Sequence, residues 1–172
     1  MHVIIFLAIR ALHVGLAALW IGSTVFASVM LTPAIEASGP SGGQVMTRLN
    51  RHGLITYMAV LASTTLATGL YLFWHFTGGF GAGVMATHAG IAFGTGGVSG
   101  ILAAIIGGGI VGRSAAKMTN VMAQAVGLPE SPGRRDMMQQ ALELRRRMKI
   151  GSRAVILLQT VALVLMAVGH YV

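Results

Sequence analysis

Four stretches of this chain are apolar for long enough to cross a lipid bilayer. They run from about Val3 to Leu31, Leu54 to Phe76, Met85 to Val111 and Ala154 to Val172. A helix needs about 20 mostly apolar residues to cross a hydrocarbon core. The pattern predicts an all-α protein, an integral membrane four-helix bundle built as one transmembrane domain over residues 1–172. The first stretch is too long for the apolar core of a signal peptide, carries Arg10 inside it, and lacks a small-residue cleavage pattern. It is expected to be a retained helix.

The polar segments between the spans also have structure written into them. Ser114 to Val126 keeps a helical composition with no breaker, and from Arg134 to Ser152 only Gly151 interrupts one. Between them Gly127-Leu128-Pro129-Glu130-Ser131-Pro132-Gly133 is dense in turn residues. Ser131 can cap a new helix with Pro132 at its first position. Helices three and four are therefore expected to extend past the membrane as a cytoplasmic helical hairpin. The second helix has a possible early start near Gly43, just after Ser38-Gly39-Pro40-Ser41-Gly42.

Composition agrees with a lipid solvent: 55% of the residues are hydrophobic and 9% charged, against about a quarter charged in soluble domains. Charge placement gives the expected topology. Every Lys and Arg except Arg10, and all four acidic residues, fall in the segments after the first and third spans. The N-terminus, the link from Gly78 to Gly83 and the C-terminus carry none of these residue types. Because positive charge stays on the cytoplasmic side, both termini are expected outside, which in a Gram-negative bacterium means an inner-membrane protein with periplasmic termini. Arg145-Arg146-Arg147 falls where anionic head groups of the lipid bilayer lie, a membrane anchor rather than a nucleic-acid site.

The candidate chemistry is in the histidines. His2, His13, His75, His88 and His170 fall in the outer half under this topology, and His52 alone falls on the cytoplasmic side. Imidazole ligates haem iron, copper and zinc, so His13, His75 and His88 are the candidate cofactor and metal ligands. Histidines near helix ends also serve at the membrane interface, and Trp74 and Phe76 beside His75 fit an aromatic belt. His13 lies deeper and is harder to explain that way. Arg10 is three residues before His13 and Trp20 is seven after it, so the three share a helix face. With no acidic residue near, the partner of Arg10 is a backbone carbonyl, a lipid phosphate or an anionic ligand such as a haem propionate, or the side chain snorkels to the interface.

The third span is rich in glycine, with GxxxG spacing at Gly96–Gly100 and Gly108–Gly112, which predicts close helix packing and could also make room for a flat cofactor. The eleven methionines are scattered and read as packing rather than a copper site. There are no cysteines, which excludes thiolate chemistry. No phosphate loop, zinc-protease motif or nucleophile elbow is present. The spans contain no carboxylate, which argues against a proton-relay pump.

The segment Arg10-Ala11-Leu12-His13-Val14-Gly15-Leu16-Ala17-Ala18-Leu19-Trp20-Ile21-Gly22 resembles the first helix of CopD-like proteins (the copper-resistance D domain), of their uncharacterised small membrane relatives, and more distantly of membrane-type protoporphyrinogen oxidase. That group has a first-helix His followed about seven residues later by Trp-x-Gly, matched here by His13, Trp20 and Gly22. Leu31-Thr32-Pro33-Ala34-Ile35 resembles the proline-containing end of the same helix. The resemblance implies a bundle of at least four helices and a b-type haem ligated through His13. The expected function is haem b binding, or copper as the alternative, in the outer half for electron transfer or redox chemistry. A non-enzymatic accessory subunit of a membrane complex or homo-oligomer, and a small transporter, are the other readings.

Overall fold

A computed structural model describes residues 2–125 and 129–172. Among them all regular structure is helical. Four helical stretches, Val3–Ala37, Leu54–Phe76, His88–Ala125 and Pro132–Val168, are long and apolar enough to cross a membrane. In lipid the backbone has no water to bond, so a helix that satisfies its own N–H and C=O groups is the form such segments take. These four helices mark a multi-pass membrane protein.

The first stretch is longer than the apolar pattern. Helix α1 (His2–Phe26) passes through a π-helical turn (Ala27–Leu31) into α2 (Thr32–Ala37). Pro33 lies at the start of α2. Proline has no N–H and its ring crowds the carbonyl one turn earlier. The widened turn relieves that crowding, with the Thr32 amide donating to the carbonyl of Ala27.

The second span begins at Leu54, where the apolar run starts, without the early start near Gly43. A separate helix, α3 (Pro40–Arg51), ends at His52, and Gly53 takes a left-handed conformation with φ 92°. Only then does α4 (Leu54–Phe76) begin. After α4 the chain reverses through Gly78, Gly79 and Phe80, all at positive φ. The bulky Phe80 is held there by its amide, which donates to Thr77 Oγ1 at 2.9 Å. A single helical turn, α5 (Ala82–Met85), precedes α6 (His88–Ile106). Thr87 caps α6 by accepting from the Gly90 amide at 3.1 Å, which moves its start three residues past the one expected at Met85.

A second π-helical turn, Gly107–Gly112, joins α6 to α7 (Arg113–Ala125). It coincides with the Gly-Gly-Gly-Ile-Val-Gly run, where the backbone has most freedom. Residues 126–128 of the expected turn lie outside the described residues. Ser131 caps α8 (Pro132–Val168) by accepting from the Arg134 amide, with Pro132 in its first turn. Helix α8 runs unbroken through Gly151, and a Cβ there would meet Val111 Cγ2 at 2.9 Å. The glycine is a contact point rather than a break.

Helix α1 packs on α4, α4 on α6, α6 on α8, and α1 on α8, while α7 lies along α8. Each of the four long stretches contributes one side chain to the central cluster of Trp20, Leu61, Ala103 and Val155. The glycines of α6 serve both neighbours: Gly96 meets Ala162, Leu165 and Met166 of α8, and Gly100 meets Leu66 of α4. Large apolar side chains such as Ile4, Leu70, Ile105 and Leu157 point outward, as a lipid solvent permits.

Candidate functional site

Helices α1 and α4 run antiparallel in one steady register. Phe6 stacks on His75 with ring centroids 4.8 Å apart, His13 meets Thr65 and Thr68, and the Ser23 hydroxyl lies 3.3 Å from that of Tyr57. His13 stands in the middle of this seam and is half-buried.

The surroundings of its imidazole fix its chemistry. Nδ1 lies 3.0 Å from the main-chain oxygen of Thr65 and 3.1 Å from Thr68 Oγ1. A carbonyl only accepts, so Nδ1 carries the proton and donates. Thr68 Oγ1 has its own hydrogen directed at the carbonyls of Thr64 and Thr65, at 2.8 and 3.0 Å, which leaves its lone pairs free for the same Nδ1–H. The tautomer is thereby set. Nε2 carries a lone pair, and among the described residues it has no hydrogen-bond partner. A metal-binding imidazole commonly has this arrangement, with one nitrogen donating to a carbonyl and the other presented to a ligand.

Gly69 makes the placement possible. A Cβ on Gly69 would come within 2.8 Å of His13 Cε1. The ring therefore lies against the bare backbone of α4. Sequence reasoning singled out His13 but not Thr65, Thr68 or Gly69. The available signal was Thr64-Thr65-Leu66-Ala67-Thr68-Gly69, a polar patch inside an apolar helix.

The other candidates are elsewhere. His75 is exposed and packs against Phe6 and, at a centroid distance of 6.4 Å, Tyr71. It lies seven residues beyond Thr68 on α4, about 10 Å along the axis from His13. His88 is exposed as the first residue of α6. Since Gly94 meets Phe73 and Gly100 meets Leu66, His88 stands about 15 Å from the height of His13. Among the described residues no group of three His, Asp or Glu side chains could hold a metal ion. The three histidines thus belong to one end of the molecule but not to one site.

Arg10 has an unforeseen partner. Its Nη2 donates to Nε2 of His170 at 2.7 Å. The bond ties the exposed side of α1 to the chain just after α8, 160 residues away. His170 also meets Phe93 edge-on, at 5.1 Å between centroids. Gly169 lets that ring approach, since a Cβ there would stand 2.8 Å from Phe93 Cε1. At the opposite, charged end Arg145 pairs with Glu36, tying α8 to α2, and Asn50 donates to Thr119 at 3.3 Å, tying α3 to α7.

Comparison of the chain with protein-family models, with curated proteins and with solved structures finds no match. The case for function therefore rests on the site itself.

Proposed function

We propose that this protein is a four-helix bundle of the bacterial inner membrane that binds b-type haem through His13, for electron transfer or redox chemistry. In this reading the histidine-bearing end and both termini face the periplasm. Helix α7 and the first half of α8 form a cytoplasmic hairpin that holds most of the basic residues, with Arg48 and Arg51 on α3. What supports the orientation is the confinement of every cation except Arg10 to one end.

The observation that carries the haem reading is the His13 imidazole. Its Nδ1–H is engaged by the Thr65 carbonyl, its Nε2 lone pair is unengaged, and Gly69 gives the ring its place. Haem supplies one-electron chemistry when bound. The chain supplies the rest: His13 would hold the iron, the Thr65 carbonyl would raise the basicity of the ligand and fix its orientation, and Arg10 is the only charged side chain at that end to meet a propionate. The heights of His75 and His88 fit them less well as partners of His13 on one iron. His13 as the sole histidine ligand is the arrangement the register favours. Copper remains the alternative, but a lone imidazole without a second nearby ligand suits it less.

The test is an optical spectrum of the protein purified from a host supplied with haem. A Soret band that is present in the wild type and lost in His13→Ala supports the reading, with His75→Ala and His88→Ala retaining it. A colourless and metal-free preparation refutes it, and stoichiometric co-purifying partners would then favour an accessory subunit.

A further inference from the structure

The interior of the packed helices is layered. Leu61 of α4, Ala103 of α6 and Val155 of α8 lie in the apolar cluster with Trp20. One helical turn from each, toward the histidine-bearing end, stand Thr65, Ser99 and Gln159. All three are buried. A polar layer from three helices therefore rests directly on the apolar one.

That layer is not satisfied by the described residues. Gln159 is 2% exposed and Thr65 5% exposed, yet among the described residues Gln159 Oε1 and Thr65 Oγ1 have no hydrogen-bond partner. They do not bond each other. Gln159 spends its Nε2 on Thr24 Oγ1, at 3.4 Å, and Thr24 in turn donates to the Trp20 carbonyl at 2.8 Å. Ser99 donates to the Thr95 carbonyl at 2.9 Å and keeps free lone pairs. Buried polar atoms are nearly always paired, and one left bare is destabilising. Each bare atom calls for a ligand that the described residues do not supply.

The chemistry of the layer limits what that ligand is. Gln159 Oε1 only accepts, so the ligand must donate. The hydroxyl of Thr65 can either donate or accept. No Lys, Arg, Asp or Glu lies in α4, in α6 or beyond Arg153 in α8. A bare ion would find no countercharge there, and burying one is costly. A small neutral donor with several hydrogen-bonding directions fits, and water is the smallest.

We propose that Gln159 Oε1 and Thr65 Oγ1, buried inside the helix assembly, each hold a water. Thr65 then serves two sites at once. Its main-chain oxygen orients His13, and its hydroxyl binds its water. The inference goes beyond the haem reading and does not depend on it.

The experiment uses the full chain in lipid nanodiscs. A structure at a resolution that shows ordered water should contain density within hydrogen-bonding distance of each of Gln159 Oε1 and Thr65 Oγ1. Thr65→Val keeps the shape and removes the hydroxyl. If water is held, it loses a partner and the Tm falls, while Thr65→Ser stays near wild type. If the layer is dry, Thr65→Val removes a bare hydroxyl and the Tm rises. Density at neither atom, or a rise in Tm for Thr65→Val, overturns the proposal. So does a Tm that depends on exchanging sodium for choline, which would make the ligand a cation. Gln159→Leu removes the other acceptor and leaves His13 with its Thr65 and Thr68 partners in place, so haem binding is expected to be unchanged in that variant and failure here is separable from failure of the haem reading.

Discussion

The fit between His13 and Gly69 can be tested with one methyl group. In Gly69→Ala the new Cβ would stand 2.8 Å from Cε1 of His13, 3.4 Å from Nδ1 and 3.6 Å from Nε2. Carbon atoms in contact sit about 3.5–4.0 Å apart, so the ring must retreat by at least about 0.7 Å. It retreats away from the bond that holds Nδ1 to the Thr65 carbonyl at 3.0 Å. Overpacking of this kind costs about 1–3 kcal/mol. Losing the hydrogen bond adds about 1 kcal/mol. Alanine returns up to about 1 kcal/mol through its better helix propensity. The net expectation is a destabilisation of about 1–3 kcal/mol. Gly97 is the control, because a Cβ there meets nothing within 4 Å, and Gly97→Ala should be neutral or slightly stabilising. Unfolding by SDS titration in mixed micelles measures both. The decisive step is the double mutant. If the cost comes from the ring, Gly69→Ala should cost little in a His13→Ala background, with a coupling energy of about 1–2 kcal/mol. The reasoning fails if Gly69→Ala is as stable as Gly97→Ala, or costs the same with and without His13.

Three further outcomes are expected. Because the side chains of Glu36 and Arg145 are 34% and 48% exposed, Glu36→Gln should cost no more than about 1 kcal/mol at low salt, and SDS titration at high salt should find the difference gone. Gly151→Ala should loosen the packing of α8 on the Gly107–Gly112 turn, since the new methyl would meet Val111 Cγ2 at 2.9 Å; a loss of about 1–3 kcal/mol is expected, and limited proteolysis should cut the charged end faster. Since the chain has no cysteine, single substitutions report topology cleanly: Gly83→Cys should react with an impermeant thiol reagent applied to intact cells and Lys149→Cys should not, and the reverse pattern would invert the proposed orientation.

Some of this molecule was legible along the chain and some was not. The number and type of the four spans follow from apolar runs alone, because a lipid solvent leaves the backbone no alternative to the helix. The α8 cap at Ser131 and Pro132 was legible too, because capping is decided within one turn. The ends of other elements were less so. Pro33 lies in what resembles a proline-containing helix end, yet a π-helical turn carries the helix past it, and the segment after Gly39 forms a helix of its own, α3, rather than an early start of the second span. Such outcomes depend on strain shared between neighbouring turns, which composition does not express.

The site divides in the same way. The sequence by itself determined that His13 is an imidazole deep in an apolar helix, with Arg10 and Trp20 on its face, and that charge and histidine gather at opposite ends. Only the tertiary structure decided what those groups touch. The register of α1 against α4 puts the Thr65 carbonyl on Nδ1 and the bare backbone of Gly69 against the ring, 52 or more residues away in sequence. The same register separates His75 and His88 from His13, and the chain just after α8 gives Arg10 its partner, His170. The reason is physical: burial in lipid is a property each segment has alone, whereas hydrogen-bond partners and close approaches are properties of pairs, fixed only when the helices pack.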